Sequence, residues 1–278
     1  IRDRINTILV FFGQSVSVDQ SDLIKLPIFL TLLSAVVVFW MALRMQEAPR
    51  EEELGIRETL ARCWRETGVT ARWIWTTYLP FCIILAAMVL DSVIRQFLTL
   101  ASEYWNVINL PIASYGLIGS GMALMGLFVP RVARILAEKR TPLQNFITTA
   151  AAVFIGLVGL GFAIPYWGII PAIFLYASIQ LTGFFVSRYL NEAAPSKQRA
   201  TVLSFRGLST NFSYGILSFM YSALIVWIKT QERGDIVGNA SQQSIFVESL
   251  QWLPWYFLVC LGLVFVSQHL RFGNKQSD

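Results

Sequence analysis

Apolar residues in this chain come in long unbroken runs rather than in stripes. Uncharged stretches cover residues 26–43, 73–90, 104–130, 141–187, 207–228 and 249–268. A hydrocarbon core of about 30 Å takes about 20 helical residues to cross, so these stretches predict membrane-spanning helices. The 141–187 stretch is too long for one crossing. Pro165, Tyr166, Trp167 and Gly168 in its middle join turn formers to interfacial aromatics and predict a tight turn there. The expected fold class is therefore all-α and integral to a membrane, with seven transmembrane helices. Helices are preferred to strands, because a membrane barrel alternates polar and apolar positions over segments of about 10 residues.

Composition supports the same solvent. Charged residues make up only 14% of the chain and hydrophobic ones 55%, whereas a soluble domain carries about 25% charge. The net charge of +5 is spread between the apolar runs and forms no continuous basic face, which argues for a lipid bilayer as partner and against nucleic acid. If the connecting segments alternate sides, sixteen Lys and Arg fall on one side and five on the other. The positive-inside rule then puts the N-terminus outside and the C-terminus in the cytoplasm, in a plasma membrane or bacterial inner membrane. Residues 1–25 are expected to be extracytoplasmic and 271–278 a cytoplasmic tail. The chain starts at Ile1 without the charged and apolar regions of a signal peptide, and is expected to be cut from a longer polypeptide.

The link between the first two runs holds six Arg and six Glu over 44–72. Within it Ile56, Leu60, Cys63 and Trp64 recur at helical spacing, with Arg57, Glu58, Arg62, Arg65 and Glu66 on the other faces. That pattern predicts a short amphipathic helix on the membrane surface.

Enzymatic signatures are missing from the sequence. There is one histidine, His269, at a helix end, so neither a Ser/His/Asp relay nor a His-based metal site can be assembled. Cys63, Cys82 and Cys260 lack metal-ligand spacing. No phosphate loop or dinucleotide fingerprint occurs. No cofactor, metal, disulfide or enzymatic activity is expected. A membrane-embedded lipid-modifying enzyme would have only Asp91, His269 and the glutamates of the link for acid–base work. A heptahelical receptor or sensor is the other alternative. Receptors of that type usually carry an Asn-Pro-x-x-Tyr element, where this chain has Leu253, Pro254, Trp255 and Tyr256.

Polar stripes point to a water-filled path. Ser204, Gly207, Asn211, Tyr214, Gly215, Ser218 and Ser222 follow helical spacing in one run, and Tyr176, Gln180, Gly183 and Ser187 in another. Small-residue faces, Gly116, Gly119, Ser120, Ala123 and Gly126 in one run and Ala152, Gly156, Gly159 and Ala163 in the next, are expected to serve helix packing. The most informative residues are Asp91 and Arg95. They lie one turn apart inside an otherwise apolar run and can pair, and charge inside a span marks a functional site by default. A carboxylate separated from its Arg partner in an apolar setting takes up a proton more readily, so protons are a candidate coupling ion.

With spans and stripes in place, the chain resembles the major facilitator superfamily, over helices six to twelve of its twelve-helix fold. Gly126, Arg131 and Arg134 match that superfamily's cytoplasmic Gly-x-x-x-Asp-Arg-x-Gly-Arg loop motif, while Pro130 stands in place of the Asp and Ala133 in place of the second Gly. The segment from Pro195 to Ser204 is similar to the one leading into the eleventh helix. The resemblance implies that residues 26–44 are the last helix of the N-terminal half, 45–72 the central cytoplasmic loop and 73–270 the six-helix C-terminal half. It further implies secondary active transport of a small-molecule substrate by alternating access, with missing N-terminal helices of the same polypeptide as partners. Asp91, Arg95, Gln180, Asn211 and Tyr214 are the expected substrate or coupling residues.

Overall fold

A computed structural model of the chain describes residues 20–45, 55–231 and 239–272, and these are almost wholly helical. Most of the 1–25 segment, part of the central link and most of the 271–278 tail lie outside the described residues. The chain divides into two units, Ile1–Ile56 and Arg57–Asp278. In the first, helix α1 (Gln20–Leu43) carries an apolar stretch, Ile28–Leu43, and closes with Arg44 stacked 3.8 Å over the Trp40 ring.

The second unit opens with α2 (Ile56–Thr76), followed by α3 (Tyr78–Val107), α4 (Tyr115–Lys139), α5 (Pro142–Gly161), α6 (Ile169–Ala193), α7 (Arg199–Gln231) and α8 (Asn239–Phe272). Among the described residues six helices, α3 to α8, are long and apolar enough to cross a membrane. The amphipathic link helix forms, and Leu60, Cys63 and Trp64 of its predicted apolar face are exposed. It runs further than the sequence pattern suggested, taking in Trp73 to Thr76 before an extended Thr77 ends it. Pro80 gives the reason. It has no N–H to offer the Thr76 carbonyl four residues back, and its ring would press on that carbonyl, whereas the first turn of the new helix α3 tolerates it.

The turns alternate between two ends. At one end α3 closes through Asn109, in the left-handed region at φ 60°, and the predicted 165–168 turn joins α5 to α6. The two connections touch: the Tyr166 N–H donates to the Ile108 carbonyl at 2.9 Å, and the Tyr104 hydroxyl to the Gly168 carbonyl at 3.2 Å. At the other end Thr141 starts α5 with a reciprocal cap. Its hydroxyl accepts from the Gln144 N–H, the Gln144 side chain accepts from the Thr141 N–H, and Pro142 fills the first helical position. The rings of Tyr78 and Phe272 meet there at 5.2 Å, and Arg271 stacks 5.1 Å from Trp75 and Phe81. The start of α3 and the end of α8 therefore share an end with the Arg-rich connections.

Helix α3 is the axis of the unit. Leu90, Val93, Ile94 and Phe97 are buried against Val153, Leu157 and Leu160 of α5, Ala172 and Leu175 of α6, Leu217 of α7 and Leu250 and Phe257 of α8. A second cluster, with Ile83, Ala87, Ala133, Phe185, Tyr189 and Val202, fills the Arg-rich end. Around this core the surface is itself apolar, with Leu117, Phe128, Ile155, Phe174, Phe219, Val259 and Leu263 all exposed. Such a sheath is what hydrocarbon, rather than water, favours, and helices satisfy their backbone polar groups without water.

The two small-residue faces behave differently. On α5, a side chain at Gly156 would meet Leu175 at 2.9 Å and one at Gly159 would meet Pro171 at 2.8 Å, so both glycines serve close packing against α6. On α4, Gly116 and Gly119 face open space, and Gly126 reaches only Gln180, at 4.0 Å. Helix α4 touches the bundle through another side, which carries its buried Met122 and Ala133. Packing within the chain therefore accounts for one face and not the other.

Candidate functional site

The longest polar network inside the apolar helices runs between α3 and α7. These two helices are parallel: the Ser213 hydroxyl donates to the Met88 carbonyl at 3.1 Å, and further along Ser218 donates to Gln96 Oε1 at 2.9 Å. Asp91 is the fourteenth of the thirty residues of α3 and Arg95 the eighteenth. At 1.5 Å per residue both stand within about 4 Å of the helix middle.

Asp91 and Arg95 form an ion pair one turn apart, their side chains 16% and 32% exposed. The carboxylate oxygen that faces Arg95 has no aligned hydrogen-bond donor, so the contact is one of charge more than of directed hydrogen bonding. The guanidinium is oriented from the other helix. Arg95 Nη1 donates to Asn211 Oδ1 at 2.6 Å, and its carbon lies 5.4 Å from the centre of the Tyr214 ring. Beyond it the Thr99 and Tyr214 hydroxyls share a hydrogen bond of 3.0 Å, and Thr99 also bonds back to the Arg95 carbonyl. Cation–π contact and a charged hydrogen bond hold the same group, so Arg95 has one direction to point.

Asp91, Arg95, Asn211 and Tyr214 are thus brought together, and Asn211 remains exposed beside the pair. Gln180 is not part of the group. It lies on α6 toward Gly126 of α4 and makes no hydrogen bond with the cluster. The Gly126, Arg131 and Arg134 motif is not in a loop. It continues α4 as far as Lys139, and Arg134 is engaged by Glu138 at 3.0 Å on the same helix.

Two further members of the network, Thr99 and Gln96, are not among the expected site residues. Thr99 follows Asp91 and Arg95 at four-residue spacing and so extends their face, a regularity that would have found it. Gln96, only 5% exposed, lies between Arg95 and Phe97 and reads as an ordinary polar interruption. All three cysteines are free thiols. Among the described residues no group of three His, Cys, Asp or Glu comes together.

The larger cavities lie elsewhere. One of about 410 Å³ is lined by Ile84, Met88, Phe205 and Phe212. Another, of about 480 Å³, lies between α3, α5 and α8 with Cys82, Phe146 and Phe265 in its walls. Both are apolar grooves. The chemistry sits on the α3–α7 face instead. No protein-family model matches the chain, and no curated protein or solved structure matches it, so the geometry of this face carries the functional reading.

Proposed function

We propose that the chain belongs to a secondary active transporter that moves a small solute by alternating access, with the α3–α8 bundle acting as one half in the manner of the major facilitator superfamily. In this reading α1 is a seventh span, the Arg-rich end faces the cytoplasm of a plasma membrane or bacterial inner membrane, and the chain performs no covalent chemistry. The observation that supports it is the Asp91–Arg95 pair, held at mid-helix by Asn211 and Tyr214 with one side open. A purely structural pair at that depth would be closed off by packing. An open one can meet a solute or a proton.

The pair then works as a switch. A solute that competes for Arg95, or a shift of α7 that withdraws Asn211, leaves a carboxylate without its counter-charge in an apolar setting, which favours proton uptake. Ion movement and solute movement become coupled through one contact. Reconstitution into liposomes with a pH-sensitive dye inside tests this. Solute-dependent proton flux is expected for the full polypeptide and its loss for Asp91→Asn and for Arg95→Gln. Unchanged flux and unchanged pH profiles in both variants and in the double change would remove the pair from the mechanism.

A further inference from the structure

Helix α2 is covered along only half of one face. Leu60, Cys63, Thr67, Thr70 and Ile74 succeed one another at three- and four-residue spacing and so share that face. Thr70 and Ile74 are buried, Ile74 in the same cluster as Ile83, Val186 and Val202. Leu60, Cys63 and Thr67 are exposed, and Leu60 stands about 15 Å along the axis from Thr70 at 1.5 Å per residue. A straight helix keeps one face on one side, so the exposed half points the same way as the half that rests on the bundle.

One edge of that face is basic and aromatic. Trp64, Arg72 and Trp75 follow Arg57 by close to two, four and five turns and so line up with it. Trp64 is 78% exposed, and the Arg271 guanidinium at the end of α8 lies 5.1 Å from the Trp75 ring. Arg62 is matched by Glu66 at 2.9 Å, whereas Arg57, Arg65 and Arg72 have no ion pair among the described residues. Glu58 and, ahead of the helix, Glu51 to Glu53 offset part of this charge, and Arg72 and Arg271 stand at the opposite end from them.

We infer that the uncovered half of α2 docks on a bilayer surface beside the bundle, with Leu60, Cys63 and Trp64 turned into the acyl boundary and Arg57 and Arg72 among anionic phospholipid headgroups. An apolar face edged by Arg and Trp suits that layer, where an indole keeps its ring in the apolar part and its N–H among polar groups. Basic residues are attracted to the anionic lipids of the same layer. Only Thr77 separates α2 from α3, so the docked helix anchors the start of the helix that carries Asp91 and Arg95. Docking needs α3 to α8 in a bilayer, as the transport reading does, but it needs no translocation.

The test places the full polypeptide in lipid nanodiscs with a polarity-sensitive maleimide dye on Cys63, which is exposed, and with Cys82 and Cys260 replaced by Ala. Val69→Cys in a Cys63→Ala background is the comparison, since Val69 is exposed on the opposite side of the helix. In discs of equal parts phosphatidylglycerol and phosphatidylcholine, doxyl-labelled lipid should quench the dye on Cys63 and aqueous iodide should not. At position 69 the reverse is expected. Changing Arg57 and Arg72 together to Gln should lower the ratio of lipid-quenched to unquenched dye about 5- to 25-fold, as each basic residue near an anionic surface is worth about 1 kcal/mol. Pure phosphatidylcholine discs and Trp64→Ser should each lower the ratio as well. Quenching of the Cys63 dye by iodide alone would put the face in water and overturn the inference. Protection from both quenchers would assign the face to another part of the polypeptide and overturn it too, and equal lipid quenching in the two kinds of disc would remove the anionic headgroups. Lipid quenching without solute flux would sink the transport reading and leave the docking standing, and flux with iodide quenching would do the reverse.

Discussion

Arg95 of α3 and Asn211 of α7 are joined by a 2.6 Å hydrogen bond between side chains 116 residues apart. That contact, more than the ion pair with Asp91, ties the charged centre to a second helix. Removing one charge of the pair leaves the other poorly compensated, and breaking a buried pair costs about 3–5 kcal/mol. Partial exposure places this pair at or below the lower bound. Arg95→Gln and Asp91→Asn are each expected to destabilise the detergent-solubilised protein more than the double substitution does. Thermal melts of the three variants decide it, and additive losses would show that the pair is not coupled.

The glycines of α4 and α5 offer a contrast within one protein. A methyl group at Gly159 would stand 2.8 Å from Pro171 Cβ, a rigid neighbour that cannot turn away, whereas one at Gly119 would meet nothing within 4 Å. Overpacking of this kind costs about 1–3 kcal/mol, while changes at unconstrained surface positions stay within about 0.5 kcal/mol. Gly159→Ala should lower the melting temperature and Gly119→Ala should leave it unchanged. Equal effects would mean that α5 and α6 do not approach as closely as the structure has them.

Much of this architecture is legible in the sequence because the bilayer imposes one simple rule on run length. The six long helices and the turn at 165–168 follow from it directly, and so does the pairing of Asp91 with Arg95, which needs only helical periodicity. Rotation of one helix against the next is harder to read. Gln180 and Asn211 carry the same signal, a polar residue on a small-residue stripe, yet Asn211 faces Arg95 and Gln180 faces Gly126. Periodicity defines a face without saying which neighbour it meets. The small face of α4 was unreadable for the same reason. Pro80 shows a different limit: the apolar run passes through it without a break, and only the missing N–H reveals that one helix ends at Thr76 and another begins at Tyr78.

Tyr104 and Gly168 lock the two connections at the end away from the Arg-rich loops. The tyrosine hydroxyl donates to the Gly168 carbonyl at 3.2 Å, and a methyl group on Gly168 would lie 2.6 Å from that hydroxyl and 2.8 Å from Ile108. Gly168 has an ordinary helical φ of −58°, so glycine is required there for space and not for backbone freedom. Tyr104→Phe should cost about 1 kcal/mol through the lost hydrogen bond and Gly168→Ala more. In the double variant the loss should fall below the sum, since removing the hydroxyl relieves part of the clash. Strict additivity in a double-mutant cycle would refute the shared contact.

The membrane orientation can be tested on α4 alone, since its two ends differ sharply in charge. Arg131, Arg134, Lys139 and Arg140 crowd the end of the helix, whereas no Lys or Arg occurs between Arg95 and Arg131. The apolar segment Ile112–Lys139 has 28 residues, about 42 Å of helix at 1.5 Å per residue, which exceeds a hydrocarbon core of about 30 Å. Ile112 and Lys139 are both exposed, so cysteines placed there should react freely with any reagent on their side. With Cys63, Cys82 and Cys260 replaced by Ala, Ile112→Cys should be labelled by an impermeant maleimide on intact cells and Lys139→Cys only after permeabilisation. This outcome is expected because moving the basic cluster across the membrane opposes the positive-inside bias. Labelling of both cysteines from the same side would show that α4 does not cross the bilayer. Labelling with the sides reversed would leave the helix a span and overturn the orientation.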